Sequence, residues 1–207
     1  MQGLGATEYQ IIALSLRVAV VSMGGLAAAR RGECDIAGIH LMDAKTGQYN
    51  LHLLTDALTL ARGYGRMQGI VYRDGDARFK GKDAQAALAA ALADPDCTMV
   101  NRNAGSGTRI LIDRLLGGGR PAGYAVQTKS HNAVAAAVSQ SRADWGVAID
   151  TVAHAYGLSF IPLQAEHYDF VIPKARADRA AVNAFCEVLA DATVRERLHA
   201  LGFDVSR

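Results

Sequence analysis

Short apolar runs alternate with helix-like stretches along this chain, and that alternation predicts an α/β fold of two lobes with mostly parallel sheets. Three observations carry the reading. Runs such as Val18-Ala19-Val20-Val21, Gly69-Ile70-Val71-Tyr72 and Trp145-Gly146-Val147-Ala148-Ile149 have strand length and composition. Turns of glycine and hydroxyl residues stand where a strand would hand over to a helix. Finally, the polar turn Arg73-Asp74-Gly75-Asp76 is followed by a shift to an alanine-rich helix, which marks a lobe boundary. On that division residues 1–73 and 165–207 form one lobe and residues 74–164 the other.

Taken in order, strand 18–21 is followed by a tight turn, Ser22-Met23-Gly24-Gly25, and a helix 26–31 that Gly32 closes. A short strand spans 35–40 and a loop 45–50; the apolar spacing over 51–61 then reads as a helix with Leu51, Leu54, Leu58 and Ala61 facing the core. In the other lobe a helix spans 83–93, a strand 98–101, a Gly/Ser loop 102–107 and a helix 108–116 that ends on three glycines. A helix over 130–140 and strands over 145–149 and 159–163 complete it. Strand 168–173 returns to the first lobe, followed by helices over 180–190 and 193–201.

Composition narrows the function. The chain has 207 residues, half of them hydrophobic, and a formal net charge of only +2 with its basic residues scattered, so no patch points to nucleic acid or an anionic membrane. Cys34, Cys97 and Cys186 form neither a CxxC nor a Cys/His pattern, which predicts buried thiols in a reducing compartment rather than disulfides or zinc. The N-terminal segment has no basic n-region, and Arg17 interrupts the apolar run over 11–21, so neither a signal peptide nor a membrane span is predicted and the expected location is cytoplasmic.

The chemistry centres on three turns. Ser22-Met23-Gly24-Gly25, the loop Asn103-Ala104-Gly105-Ser106-Gly107-Thr108-Arg109, and Thr128-Lys129-Ser130-His131-Asn132 each set hydroxyls at the start of a helix. There backbone N–H groups lack partners and the helix dipole is positive, so the arrangement suits an anion. Taken singly, each is equally a helix cap. Three of them in one α/β chain favour a shared crevice, and the absence of a phosphate-loop pattern favours a compact anion over a nucleotide. Arg102 and Arg109 flank the second loop as counter-charges or as ion-paired surface groups. His40 and His131 are ligand donors, pH-sensitive groups or satisfied structural histidines. Asp35 and Asp144 read as turn and cap residues.

Two blocks carry a family resemblance. The first is Ser22-Met23-Gly24-Gly25-Leu26-Ala27-Ala28 with the stretch from Arg31 to Asp43; the second is Asn101-Arg102 and Gly105-Ser106-Gly107-Thr108-Arg109 with His131-Asn132-Ala133-Val134 and Arg142-Ala143-Asp144-Trp145-Gly146. From Ser22 to about Phe203 the chain resembles the PBP-like substrate-binding domains associated with molybdopterin-biosynthesis proteins and helix-turn-helix regulators. The resemblance implies a type II periplasmic-binding-protein-like fold, related to molybdate- and tungstate-binding proteins, that holds an oxyanion in the cleft between two lobes. It implies Ser22 as a donor from the first lobe, Ser106 and Thr108 from the second, and Tyr168 near the hinge. It also implies a further βα unit ahead of Ser22, for which the 17 residues before Val18 leave no room, so a truncated first lobe is expected.

An enzyme is not expected. Ser106 has Asp150, His154 and His167 downstream, but Ala104 and Thr108 stand where a nucleophile elbow needs glycine. The six histidines show no metal-ligand spacing, and no cofactor is expected beyond the bound anion. The competing reading is a ligand-sensing regulatory domain whose partner is a molybdopterin-biosynthesis or regulator module, since no basic recognition helix is present for direct DNA contact.

Overall fold

The computed structural model describes residues 18, 19, 22–43 and 46–206. The readings placed on residues 1–17, on Val20 and Val21, and on Lys45 lie outside the described residues. The chain divides into two compact units, one of residues up to Gly65 with His167–Arg207, the other Arg66–Glu166. Two 15-residue strands, β3 (Leu58–Tyr72) and β7 (Ser159–Pro173), run from one unit into the other. The Arg73–Asp76 turn lies inside the second unit. There Arg73 is tied down, donating to the carbonyls of Val138 and Ala143 and to Asp144.

In the first unit β1 (Val18–Ala19) runs parallel to β2 (Ile36–Ile39), which pairs antiparallel with β7. Helix α1 (Ser22–Arg30) buries Leu26 and Ala29 against Ala37, Ile39 and Val171. Ile36 and Ile172 point to the other face, where they meet Val182 of α6 (Ala180–Ala190). Period-two alternation thus buries both faces of this sheet. Helix α7 (Ala192–Ala200) follows α6, capped by Asp191.

Two expectations are corrected here. The residues Ser22-Met23-Gly24-Gly25 form the opening turn of α1 instead of a turn before it. First-turn amides lack intrahelical partners anyway, so glycine costs little cohesion there, and the burial of Leu26 and Ala29 offsets its entropy. The segment over 51–61 is not a helix. Leu51–Leu53 is a single 3-10 turn and β3 begins at Leu58. Of the proposed stripe only Leu58 is fully buried, while Leu51 is 46% exposed. Sheet pairing overrode the apolar spacing.

In the second unit β3 pairs antiparallel with β6 (Trp145–Ile149), and β4 (Met99–Arg102) runs parallel to both β6 and β5 (Gln127–Thr128). The sheet is therefore mixed. One face, with Ile70, Met99, Trp145 and Val147, carries α2 (Ala84–Ala93) and α3 (Gly107–Leu116). The other, with Val71, Val100 and Ala148, carries α4 (His131–Ser139) and α5 (Asp150–Ala155). Caps are where the local chemistry places them: Asp83, Ser106 and Ser130 each accept a first-turn amide, and Gly117 ends α3 in the left-handed region at φ 55°. The predicted strands over 159–163 and 168–173 are one strand, continuous through the polar residues 164–167.

Cys34 and Cys97 are buried free thiols and Cys186 is half-buried. Burial pushes the Cys97 thiol up to about 11. Among the described residues no helix is long and apolar enough to cross a membrane.

Candidate anion site

Helix α3 leaves the carboxyl end of β4 toward one face of the second unit's sheet, whereas α4 and α5 leave β5 and β6 toward the other. The end of β4 is therefore a topological switch point, the place where open α/β sheets leave a crevice for ligands. Arg102 is the last residue of β4.

Arg102 is only 8% exposed. Its Nη2 donates to the carbonyl of Lys129 at 3.4 Å, which sets the guanidinium against the start of α4. Among the described residues its Nε and Nη1 have no hydrogen-bond partner. Burial, and then repulsion from Arg66, hold the guanidinium below its ordinary pKa, with Glu166 opposing. Arginine stays charged even so, and a buried charge with unmet donors is costly unless something compensates it.

The two loops supply backbone donors beside it. The Ser106 hydroxyl accepts from the Arg109 amide at 3.2 Å and donates to the Asn103 carbonyl at 3.0 Å. Ser130 accepts from the Ala133 amide at 3.1 Å. Each cap satisfies the third amide of its helix, so the amides of Gly107 and Thr108, and of His131 and Asn132, have no intrahelical acceptor. Gly105 sits at φ +83°, a conformation L side chains resist, and so lets the loop turn into α3. Thr108 is buried, His131 half-buried and Asn132 exposed.

Arg109 is otherwise engaged. It pairs with Asp113 at 2.8 Å, donates to the Tyr124 hydroxyl at 2.6 Å and to the Arg102 carbonyl at 3.2 Å, and lies 4.6 Å from the Tyr124 ring centroid. It braces the loop.

Three residues that sequence reasoning passed over complete the electrostatics. Glu166 is 3% exposed, ion-paired to Arg66 and hydrogen-bonded by the Gln68 amide. Burial pushes its carboxyl above the usual range, against the pull of Arg66, Gln68 and Arg102. A polar i, i+2 pair on one strand face was the available signal, but it becomes visible only once the segment is known to be a strand.

The remaining sequence-predicted residues lie in the first unit. Met23 and Gly24 are exposed at the start of α1 and Gly25 is buried; the Ser22 side chain lies outside what is described. The His40 ring stacks on Tyr168 at 5.5 Å, and Tyr168 on Tyr64 at 5.7 Å. The Tyr168 hydroxyl covers Gly38, where a Cβ would fall 2.2 Å from it. These residues form an aromatic column over β2 in the first unit, and the Arg102 group belongs to the second unit.

The switch point and the mixed sheet are those of a type II periplasmic-binding-protein-like fold. The chain belongs to the PBP superfamily domain family, whose pattern matches residues 10–190, and it is accordingly a ligand-binding domain of that kind. It is 36% identical over 165 residues to the uncharacterised protein YvgK of Bacillus subtilis, covering 74% of this chain and 51% of that protein. The chain thus spans about half the length of this relative. Among solved structures it is similar to a phosphate transport receptor from Vibrio cholerae, with TM-score 0.63 and 16% identity over 97% of this chain and 93% of that one. It is also similar to an OxyR mutant of Corynebacterium glutamicum, with TM-score 0.55 and 14% identity over 86% and 52% of the two chains. A third likeness is to an ancestral amino-acid-binding protein, at TM-score 0.56 and 16% identity over 86% and 72%.

Proposed function

We propose that this chain is a non-catalytic receptor domain for a small tetrahedral oxyanion, molybdate or tungstate before others. Arg102 carries the reading: a buried cation with two unmet donors at a switch point, flanked by two helix N-termini, calls for an acceptor-rich anion. The first-turn amides and the guanidinium are donors, whereas the Ser106 hydroxyl expected as a ligand donor spends its proton on the Asn103 carbonyl; molybdate and tungstate offer acceptors only. The resemblance to molybdate-related domains supports the choice, and the phosphate receptor shows that this fold serves receptors of oxyanions. The Ser106 hydroxyl is committed to the Asn103 carbonyl, which favours a binding role over a nucleophilic one.

A sensing role is the second reading, since the fold is shared with the regulator OxyR. A fused or associated molybdopterin-biosynthesis or regulator module would read out the bound state. Buried free thiols favour a cytoplasmic setting.

Arg102→Gln tests the assignment. Charge-assisted hydrogen bonds contribute about 1.5–3 kcal/mol each, so tungstate affinity should fall roughly 10- to 100-fold by calorimetry with an unchanged circular-dichroism spectrum. Equal affinity in the variant would move the site away from β4.

A further inference from the structure

We propose that Arg109, Asp113 and Tyr124 form a clasp that presets the loop between β4 and α3, making Arg109 a positioning residue for the Arg102 site with no ligand contact of its own. This rests on the oxyanion reading above. The loop needs a brace, because Gly105 and Gly107 leave its backbone free to wander and Ala104 and Gly105 are exposed. The Arg109 guanidinium closes the loop on itself. Its Nη1 donates to the Arg102 carbonyl at 3.2 Å, so the residue that ends the loop holds the residue that starts it.

The guanidinium is itself fixed by a triangle of hydrogen bonds. Nε donates to Asp113 Oδ1 at 2.8 Å and Nη2 to the Tyr124 hydroxyl at 2.6 Å, and that hydroxyl in turn donates to the same Asp113 oxygen at 2.8 Å. The triangle is anchored to the strand. The Tyr124 carbonyl accepts from Nδ2 of the buried Asn101 at 3.0 Å, and Asn101 Oδ1 accepts the Arg102 amide at 2.8 Å. Arg102 is thus gripped at its amide by Asn101 and at its carbonyl by Arg109, and both grips lead back to Tyr124. Holding both backbone groups fixes the direction in which the Arg102 side chain leaves the strand, and the same clasp fixes the first turn of α3 with its spare amides. Three acceptors around one side chain need the planar fork of arginine, which the single ammonium of lysine does not reproduce.

Calorimetry with sodium tungstate, and hydrogen exchange of residues 102–109 by mass spectrometry, test this in the full chain carrying Tyr124→Phe, Asp113→Ala or Arg109→Lys. Each variant should bind tungstate about 3- to 10-fold more weakly, the loss of roughly one net hydrogen bond. Each should also exchange the loop amides faster than wild type until tungstate is added. Asp83→Ala, which weakens the fold at α2, should keep wild-type affinity and loop exchange, so that lost stability is told apart from a loosened loop. Unchanged affinity and exchange in Tyr124→Phe, or wild-type affinity in Arg109→Lys, would overturn the clasp. Tighter binding by Tyr124→Phe would overturn it too, since Arg109 would then be a ligand group set free. If one variant does not fold, the other two decide. Failure of the receptor reading looks different: tungstate does not bind the folded wild-type chain, and loop exchange in the variants still decides whether the clasp exists.

Discussion

Individual side chains in this protein are held mainly by partners far away in sequence. Asp35, read from the sequence as a turn residue, is fully buried and takes Arg176 at 2.8 Å and Arg179 at 2.6 Å, tying the start of β2 to the segment ahead of α6. Both guanidiniums reach water and Arg176 keeps the Gly32 carbonyl, so Asp35→Ala should cost about 1–3 kcal/mol of unfolding free energy in urea titrations. Asp144 likewise serves a distant strand, accepting the Thr98 amide at 2.9 Å. Gly146 is a packing requirement, since a Cβ there would lie 2.6 Å from Val134 Cγ1 and 2.9 Å from the Val100 carbonyl. Gly146→Ala should destabilise by about 1–3 kcal/mol through overpacking of α4 on the sheet, and an unchanged melting temperature would contradict that contact. Arg102, Ser106 and Ser130 were legible as candidates because their neighbours are local. Glu166 was not, because Arg66 stands 100 positions before it and only the fold joins them.

Elements follow the same division. Three helices of the second unit were legible almost to the residue, because Asp83, Ser106 and Ser130 announce starts and Gly117 a stop, whereas α5, which has no side-chain cap, was not read. Removing one of these signals has a small, specific effect. Asp83→Ala should lower stability by about 1 kcal/mol, read as a shift in the urea midpoint at constant slope, with tungstate affinity untouched because α2 lies outside the site. The long strands were not legible. Apolar spacing over 51–61 satisfies a helix template as well as a strand template, and what decides is pairing that sequence does not display, with Gly63 offering its amide to Asp169 at 3.0 Å and leaving no room for a Cβ against the Tyr168 carbonyl. The polar stretch 164–167 read as a break between strands for a related reason. Its glutamate is buried in an ion pair rather than exposed in a loop.

Across the whole molecule, buried and half-buried carboxylates pull stability in two directions with pH. Hydrogen bonds from Arg78 hold Asp76 below its ordinary value. Asp144 ends below it too, because the Thr98 amide with Arg73 and Arg78 outweighs the effect of burial. A depressed carboxylate stabilises the fold above its unfolded pKa and loses that contribution as pH falls through the folded value. Glu166 acts in the opposite sense. Its raised pKa favours the native state as pH drops toward the ordinary carboxylate range, and that gain is lost as pH rises through the folded value. Asp144→Asn should therefore flatten the acid limb of the stability curve below about pH 4, and Glu166→Gln the slope just above that range, both by urea unfolding at stepped pH. The α/β class was legible from strand–helix alternation, whereas the mixed sheet was not, since strand direction depends on β3 and β7 being long enough to pass from one unit to the other. The central claim is that the buried Arg102 binds an oxyanion, and the most direct test is the melting temperature of wild-type and Arg102→Gln protein with and without tungstate. Ligand at 100 times its Kd adds about 2.7 kcal/mol, so the wild-type chain should melt several degrees higher with tungstate, while the variant, binding roughly 10- to 100-fold more weakly, should rise about half as far or less. No shift in either protein, or the same shift in both, would contradict the account.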